Sequence, residues 1–454
     1  MAEWIDNFSK LISNRPNHLQ NILKVKLHKV KDALWDCSLD ESKFNMKSTI
    51  LNHELIPPPN WDRSGLPAWT YFNDELFELE AEELFRKHWQ IVCHVNDVPV
   101  HGSYVTFDLV GERALIIRDG NNQIRAFHNV CRHRGSRVVN SAEGRCKSAI
   151  ICPFHGWSYN LDGSLRGAAK ANNFPELDPQ KSGLKMLEME IWHGFVFVRF
   201  KPGPQSSVAK LLDRFDEEVS RYLPDDLLQT APIECTSPEN VNWKSIRDVD
   251  NEGYHVPRAH PSLNDLYGKN YYDEPFINGV SRSFAPFNEG SGRLWSVRHY
   301  KKLLDQFIPP YNKFSRAWLY IGVFPNFVLG FYPDSVIFYQ EIPFSVKESG
   351  IRGATYKHPD EDRTMRLARY LSTRIDATAI MEDKQLSILS YEAMKSSAFE
   401  GILLSDLEYG VRTHHDALRE ILPVMSQEIE PPSGTMVESN NLNRKTSPKE
   451  VYDG

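Results

Sequence analysis

Two short segments of this chain each place one cysteine beside one histidine, and this pattern constrains the fold more than any other feature. Cys131 precedes His133 in a C-x-H motif, and Cys152 precedes His155 in a C-x-x-H motif, with eighteen residues between the two motifs. Two sulfur donors and two nitrogen donors suit one tetrahedral zinc ion. They also suit a [2Fe–2S] cluster in which two cysteines bind one iron and two histidines bind the other.

The order of these donors favours the iron–sulfur cluster. A zinc finger pairs Cys with Cys and His with His, whereas here each segment holds one of each and can give one ligand to each iron. The neighbouring pairs Arg134-Gly135 and Gly156-Trp157 also match the loops of Rieske clusters. Because histidine ligation raises the cluster potential above that of all-cysteine ferredoxins, we expect this domain to accept electrons from a reduced carrier.

A second group of candidate ligands lies further along the chain. It contains Glu252, His255 and His260, with Pro257 between the two histidines. Glu252 and His255 are three residues apart and would share one face of a helix. Because proline ends or kinks a helix, we expect the helix to end near Val256 and His260 to turn back toward the same point. Two histidines and one carboxylate with open positions form the facial triad of non-haem Fe(II) oxygenases.

The carboxylate of such a triad must come from later in the chain. We select Asp383, within a helical stretch predicted from Arg363 to Ser397, and the competing carboxylates are Glu382 and Asp376. Glu252 could bind the metal directly. We prefer to assign it to the support of the histidines, because groups behind metal ligands orient them.

With these motifs the chain resembles the large (α) subunits of the Rieske non-haem iron oxygenases, the aromatic-ring-hydroxylating oxygenase superfamily. The resemblance implies an α+β fold, with an all-β Rieske [2Fe–2S] domain and a helix-grip (START-like) catalytic domain of antiparallel sheet and long helices. It implies that one [2Fe–2S] cluster and one mononuclear Fe(II) are bound. The implied cluster ligands are Cys131, His133, Cys152 and His155, and the implied iron ligands are His255, His260 and Asp383. The chain departs from the family at Tyr391, where a Gln is frequent.

The resemblance also implies partners. A reductase or ferredoxin would pass electrons from NAD(P)H to the cluster, and Glu252 would bridge a Rieske histidine of a neighbouring subunit to an iron-ligating histidine. Such bridging implies a head-to-tail homotrimer, a closed ring of heterologous contacts, with or without a β subunit. A non-catalytic electron carrier is the alternative from another functional class, and it would contain no mononuclear iron.

Two substrate classes fit this family. The broader expectation is an aromatic compound that a mono- or dioxygenase hydroxylates. The alternative is a quaternary ammonium compound of the betaine, choline or carnitine type, because the flank from His128 to Arg137 is similar to that of the betaine-demethylase and choline-oxygenase branch. Aromatic side chains line pockets for rings and for cations alike. The candidates of this type are Tyr271, Tyr272, Phe284, Phe287, Trp295, Tyr300, Phe324 and Phe327.

Composition limits the remaining choices. The 454-residue chain is 41% hydrophobic and 25% charged with a net charge of −7, which is ordinary globular composition without the basic excess of a nucleic-acid-binding protein. No apolar run approaches the roughly 18 residues that span a bilayer. The N-terminal sequence MAEWIDNFSK lacks the layout of a signal peptide. We therefore expect a cytoplasmic protein with neither a membrane nor a nucleic acid as partner.

Shifts in composition divide the chain into five parts. We expect a helical arm and linker over 1–60, a lead-in helix that packs on the catalytic domain over 61–89, the Rieske domain over 90–202 and the catalytic domain over 203–426. The last part, 427–454, is polar and rich in Pro, Ser and Asn, so that we expect it to be disordered.

Overall fold

Antiparallel sheets form the framework of the protein. The computed structural model describes residues 57–446, so the helical arm expected over 1–60 lies almost entirely outside the described residues. The strands of the described part are β1 Gln90–His94, β2 Ser103–Leu109, β3 Glu112–Arg118, β4 Ile124–His128, β5 Glu143–Arg145, β6 Ile150–Ile151, β7 Ser158–Tyr159, β8 Leu165–Gly167, β9 Glu188–Trp192, β10 Phe195–Arg199, β11 Leu228–Gln229, β12 Glu234–Cys235, β13 Tyr272–Ile277, β14 Val280–Pro286, β15 Ala317–Val323, β16 Phe327–Phe331, β17 Val336–Ser345 and β18 Glu348–Lys357.

Three small sheets come first along the chain and one large sheet follows. The small sheets have the strand orders β1-β10-β9, β4-β3-β2-β5 and β6-β7-β8. The large sheet has the order β11-β18-β17-β16-β15-β14-β13, with β12 also paired to β18. Helices before, between and after these strands complete an α+β fold, as the sequence predicts. They are α1 Asp74–Glu80, α2 Val208–Leu212, α3 Asp216–Ser220, α4 Trp243–Asp250, α5 Val256–Ala259, α6 Pro261–Leu266, α7 Trp295–Leu304, α8 Arg363–Ala393, α9 Tyr409–Ile421 and α10 Met436–Thr446.

The large sheet is covered on both faces, because alternate residues along each strand point to opposite sides. One face packs against β1, β10 and the helices α2 and α3, and its residues include Leu319, Ile321, Leu329, Phe331 and Phe338. The opposite face packs against α5 to α8, and its residues include Trp318, Tyr332 and Ile337. The second face is the one that carries the candidate iron ligands.

Helix α8 runs along this second face for 31 residues. Its start is capped by Asp362, whose side chain accepts a hydrogen bond of 2.8 Å from the backbone N–H of Met365. Its buried residues follow helical spacing along one stripe: Met365, Ala368, Leu371, Ser372, Ile375, Ala379, Ser387 and Tyr391. Asp376 and Asp383 are seven residues apart, so both lie beside this buried stripe.

The structure corrects two expectations from the sequence. Pro257 does not end a helix. Helix α4 stops at Asp250, the chain turns through Glu252, and Pro257 lies in the first turn of α5, where its missing N–H costs nothing. The part of the C-terminal tail up to Thr446 is also ordered, because α10 forms there and buries Met436 in the core. The stretch before α10 is held as well, since the Glu75 carboxylate accepts hydrogen bonds from Ser433 and Gly434.

Within residues 57–446, none of the helices combines the length and the apolar composition needed to cross a bilayer.

Candidate metal sites

The two cysteine–histidine segments fold into matching loops. In the first loop the N–H of Cys131 donates to the carbonyl of Ser136 at 2.7 Å, and the N–H of Gly135 donates to the carbonyl of Cys131 at 3.1 Å. The second loop repeats both bonds, from Cys152 to Trp157 at 2.8 Å and from Gly156 to Cys152 at 3.1 Å. Gly135 and Gly156 have φ values of +76° and +71°, which only glycine adopts without strain. The glycine after each histidine motif is therefore required by the turn itself.

The loops bring like donors together. Cys131 and Cys152 are both buried, and the Cys131 thiol is close enough to interact with that of Cys152. The rings of His133 and His155 face each other with centroids 4.7 Å apart. Within residues 57–446, three metal-binding side chains come close enough to share one ion only at a second site, which is described below. The four donors of these two loops therefore do not surround a single point. A tetrahedral zinc ion requires such convergence, whereas a two-iron cluster takes one pair of donors on each iron.

The two ends of this site differ in environment. The cysteine end is buried, and the Tyr159 hydroxyl lies 3.2 Å from Cys131 Sγ. Burial raises the pKa of the Cys131 thiol, which the Tyr159 hydroxyl opposes. The histidine end reaches the surface, where His155 is exposed and His133 stacks on the Trp157 ring at 5.1 Å. Electrons would therefore leave or enter most directly at the histidine end.

The second site joins residues that are far apart in sequence. His255 and His260 flank the short helix α5, and Asp383 comes from α8. His255 Nε2 lies 2.9 Å from His260 Nε2. Asp383 Oδ1 lies 3.3 Å from His255 Nε2 and 2.8 Å from His260 Nε2. Three atoms that could bind one metal ion thus come together from two distant parts of the chain.

The separations of these atoms suit one face of an octahedral metal site. With metal–ligand distances of about 2.1 Å, neighbouring ligands of an octahedron are about 3.0 Å apart. The observed separations of 2.8 to 3.3 Å lie around that value. Asp383 Oδ1 is buried and has no partner with good hydrogen-bond geometry. A bound cation would satisfy this oxygen and both nitrogen lone pairs together.

A carboxylate stands behind each of the two histidines. His255 Nδ1 lies 2.5 Å from Glu252 Oε1, and His260 Nδ1 lies 2.8 Å from Glu382 Oε2. Glu252 was expected to support the histidines, whereas Glu382 was considered only as a competitor of Asp383. No local signal in the sequence shows which of Glu382 and Asp383 is the ligand and which supports His260, because the choice depends on how α8 faces the loop that carries His260.

The charges at this site are strongly coupled. Burial would lower the pKa of His255, but the adjacent carboxylates of Asp383 and Glu252 raise it to about 10. Burial would raise the pKa of Asp383, but the adjacent imidazoles of His255 and His260 hold it below its ordinary value. Without a cation, protons therefore hold the site together. A metal ion that binds here must displace protons from the imidazoles.

Tyrosines and carboxylates surround the triad on the inner face of the large sheet. The Tyr332 hydroxyl donates to Asp376 Oδ2 at 3.0 Å and lies 3.2 Å from the Tyr320 hydroxyl. The Tyr339 hydroxyl donates to Asp250 Oδ1 at 2.6 Å. Tyr320 and Tyr339 are only half-buried although they lie in central strands, which indicates open space above them.

This surrounding is electrically negative. Burial raises the pKa of Asp376 to about 7, and the charges that act on it come from Asp334, Asp383 and Asp250, all carboxylates. The buried guanidinium of Arg247 is already engaged, because it pairs with Asp250 at 3.0 Å and with Glu341 at 3.3 Å. Asp376, which the sequence suggested only as a competing metal ligand, instead lies beside the triad and is hydrogen-bonded to Tyr332.

The other aromatic residues considered from the sequence lie in several parts of the structure. Tyr391 is buried in the core, where its ring contacts that of Phe72 at 4.8 Å. Of the eight candidate pocket aromatics, Tyr271, Phe287 and Tyr300 pack in the cluster on the inner face of the sheet. Phe324 and Phe327 belong to other parts of the core, and Trp295 is exposed. Four other tyrosines lie on the same inner face but were not among the eight candidates chosen from the sequence: Tyr267, Tyr320, Tyr332 and Tyr339.

Comparison with known proteins agrees with this division of the chain. Residues 88–180 match the family model of the Rieske [2Fe–2S] domain. Residues 224–424 match that of the ring hydroxylating alpha subunit, catalytic domain. The first model includes all four candidate cluster ligands, and the second includes His255, His260 and Asp383.

Two named bacterial proteins are similar to part of this chain. The chain is 34% identical over 222 residues to the carnitine monooxygenase oxygenase subunit of Escherichia coli (strain K12), which is 47% of this chain and 58% of that protein. It is 32% identical over 201 residues to the glycine betaine monooxygenase oxygenase subunit of Pseudomonas aeruginosa (strain UCBPP-PA14), or 44% and 45% of the two chains. The matched region thus spans about half the length of these curated relatives.

Solved structures resemble the fold. A quaternary ammonium Rieske monooxygenase superimposes with a TM-score of 0.66 at 24% sequence identity. The superposition covers 79% of this chain and 95% of that one. At this identity the similarity establishes the fold alone.

Proposed function

The chain belongs to the large subunits of the Rieske non-haem iron oxygenases, and from this premise we propose that it is a terminal oxygenase that oxidises a quaternary ammonium compound. The observation that carries the catalytic part of the proposal is the convergence of His255, His260 and Asp383. A non-catalytic electron carrier would not require these three residues to lie together. We retain the domain division at residues 90–202 and 203–426 as part of the proposal.

Each of the two groups of ligands has a separate role. Cys131, His133, Cys152 and His155 would hold the [2Fe–2S] cluster, and the triad would hold one Fe(II). When bound, the cluster supplies single electrons and the iron supplies a site for the reduction of O2. The protein contributes ligand geometry, a buried cysteine end and an exposed histidine end. A partner reductase or ferredoxin would provide the electrons, ultimately from NAD(P)H.

Glu252 is suited to connect the two metal sites of neighbouring subunits. Its Oε1 atom holds His255 Nδ1 at 2.5 Å, and its Oε2 atom accepts the backbone N–H of His255 at 3.2 Å. The carboxylate therefore lies directly behind an iron ligand. A Rieske histidine of a second copy could reach it only in an oligomer, and the exposed His155 is the group available for that contact. We propose a head-to-tail trimer on these grounds.

The side chains around the triad support the proposed substrate class. A quaternary ammonium group carries a fixed positive charge and is recognised by aromatic faces. Tyr320 and Tyr339 are half-buried and provide such faces, and Asp376 provides a negative charge beside them. An uncharged aromatic hydrocarbon would gain from the rings but not from the carboxylate. The names of the carnitine and glycine betaine relatives favour the same class.

We place the cation between the carboxylates of Asp376 and Asp383, which follow each other by seven residues on α8. Seven residues of helix correspond to about 10.5 Å along the axis, from a rise of 1.5 Å per residue. A trimethylammonium group placed about 5 Å from the Asp376 carboxylate would leave one methyl group facing the triad. Hydroxylation of this N-methyl group would consume O2, two electrons and two protons, and one oxygen atom would leave as water. The C–N bond of the N-hydroxymethyl product would then break, which would release formaldehyde, one proton and the tertiary amine.

Product analysis tests this proposal. Purified iron-loaded protein would be incubated with a surrogate reductase, NADH and O2, and with choline, glycine betaine or carnitine. Loss of a methyl group as formaldehyde, or hydroxylation of one of these compounds, is the expected result. Aromatic acids and hydrocarbons form the second panel. Hydroxylation of that panel alone would overturn the substrate class and leave the oxygenase assignment standing.

Iron analysis tests the catalytic assignment itself. The oxygenase should contain about three irons per chain, two in the cluster and one in the triad. A protein with about two irons and a normal cluster spectrum after iron loading would be an electron carrier. That result would contradict the proposed activity as a whole.

A further inference from the structure

His260 lies between two carboxylates that come from consecutive residues of α8. Its Nε2 atom is 2.8 Å from Asp383 Oδ1, and its Nδ1 atom is 2.8 Å from Glu382 Oε2. The two edges of one imidazole ring are thus held by one turn of helix. His255 is not held in this way, because Glu252, the carboxylate at its Nδ1 atom, lies only three residues before it in the same turn of the chain.

We propose that Glu382 is a positioning residue that prepares His260 to bind the metal ion. A neutral imidazole carries one N–H, and its other nitrogen offers a lone pair. Because an ionised carboxylate only accepts hydrogen bonds, Glu382 keeps the proton on Nδ1 of His260. Nε2 is then the nitrogen that offers its lone pair to a metal ion, on the side of Asp383 and His255. This inference rests on the metal role of the triad proposed above.

Glu382 also joins two elements that are distant in sequence. His260 stands between the short helices α5 and α6, and 122 positions separate it from Glu382. The hydrogen bond therefore fixes the ring plane of His260 relative to the helix that carries Asp383. Carboxylates in this position behind a metal-binding histidine typically contribute 10- to 100-fold to metal affinity or activity.

The roles of the two acids behind the histidines can be separated. Glu252 accepts backbone N–H groups of its own loop in addition to His255 Nδ1, so that its removal also disturbs the loop. The hydrogen bond of Glu382 that defines this site is the one to His260. Loss of Glu382 should therefore act on the metal and leave the reduction of the cluster unchanged.

The test measures Fe(II) affinity without turnover. Protein that retains its cluster but lacks mononuclear iron would be titrated anaerobically with Fe(II) in competition with a chelator. We expect Glu382→Leu to weaken Fe(II) binding by about 10- to 100-fold. Glu382→Gln keeps an oxygen that can accept from Nδ1, and it should recover a large part of that loss. The EPR spectrum of the Fe(II)–nitric oxide adduct should shift in Glu382→Leu and return toward that of the native protein in Glu382→Gln.

A matched control is available on the same helix. Glu392 is exposed near the end of α8, so Glu392→Gln changes the net charge equally without touching the site. It should bind Fe(II) as the native protein does. The visible spectrum of the cluster and the thermal midpoint show whether each variant is folded.

Two negative results have different meanings. Native affinity and an unchanged EPR spectrum in both Glu382 variants would overturn the positioning role while the triad remains in place. Failure of the native protein to bind Fe(II) would instead overturn the proposed iron site. If Glu382→Leu does not fold, an affinity of Glu382→Gln and of Glu382→Ala equal to the native value would equally refute the role of this residue.

Discussion

Replacement of Asp376 by Asn tests whether the wall around the triad recognises a positive charge. The substitution removes a charge, keeps the size of the side chain and leaves an oxygen that can accept the hydrogen bond of Tyr332. Its effect should be confined to cationic ligands. Asp376 is hydrogen-bonded to a tyrosine hydroxyl and not to a basic side chain. The substitution therefore leaves no buried positive charge without a partner.

The magnitude follows from the geometry. The proposed position of the cation is about 5 Å from the Asp376 carboxylate, half of the roughly 10.5 Å helical rise between the backbones of Asp376 and Asp383. At an effective dielectric constant of about 20, the attraction is about 3 kcal/mol. That energy corresponds to roughly 150-fold in a binding constant. Allowing for water around the cation, we expect a 10- to 100-fold loss of choline affinity.

The pH of the measurement matters. Burial raises the pKa of Asp376 to about 7. A cation favours the ionised carboxylate, so the contribution of Asp376 to choline binding is present above pH 7 and is lost as the pH falls through 7. We expect choline affinity to decline between pH 8 and pH 6 in the native protein. The Asp376→Asn variant should lack this part of the decline.

Calorimetry with two ligands of equal shape isolates the charge. Choline has a positively charged nitrogen at the position where 3,3-dimethylbutanol has a neutral carbon. Each compound would be titrated into native and Asp376→Asn protein at pH 8. The variant should lose affinity for choline and keep its affinity for the neutral alcohol. An equal loss for both ligands, or no loss for either, would refute the reasoning from charge.

Three further variants test the metal sites, and a fourth tests the buried ion pair between Lys244 of α4 and Glu80 of α1. Asp383→Ala should lower the iron content from about three to about two per chain with an unchanged cluster spectrum, and retention of three irons would exclude Asp383 as a ligand. Cys152→Ser should abolish the visible absorbance of the cluster, while persistence of that absorbance would disprove its ligation. Glu252→Gln should leave the cluster reducible by its donor but suppress product formation, and native turnover would contradict a bridging role. Lys244→Met should leave Glu80, now 2.5 Å from the ammonium and fully buried, without a counter-charge. Urea denaturation should show a free energy of unfolding lower by about 3–5 kcal/mol, and a change below 1 kcal/mol would show that the pair is not needed.

The sequence by itself determined the features that are local. The loops of Cys131 and Cys152 could be recognised because ligand, turn glycine and flanking residues lie within a few positions of each other. His255 and His260 are close enough in sequence to suggest a common ligand site, although the path between them was wrongly derived. Pro257 begins a short helix there, since the first turn of a helix tolerates proline as well as its end does.

Only the tertiary structure decided the features that depend on distant segments. Glu382 and Asp383 are neighbouring acids, and the rotation of α8 about its axis assigns one to His260 Nδ1 and the other to the triad. Strand register likewise places Tyr320 and Tyr339 on the face toward the helices, because a shift by one residue would turn both to the opposite face. Such orientations depend on the packing of the whole sheet against α8, and no short stretch of sequence contains that information.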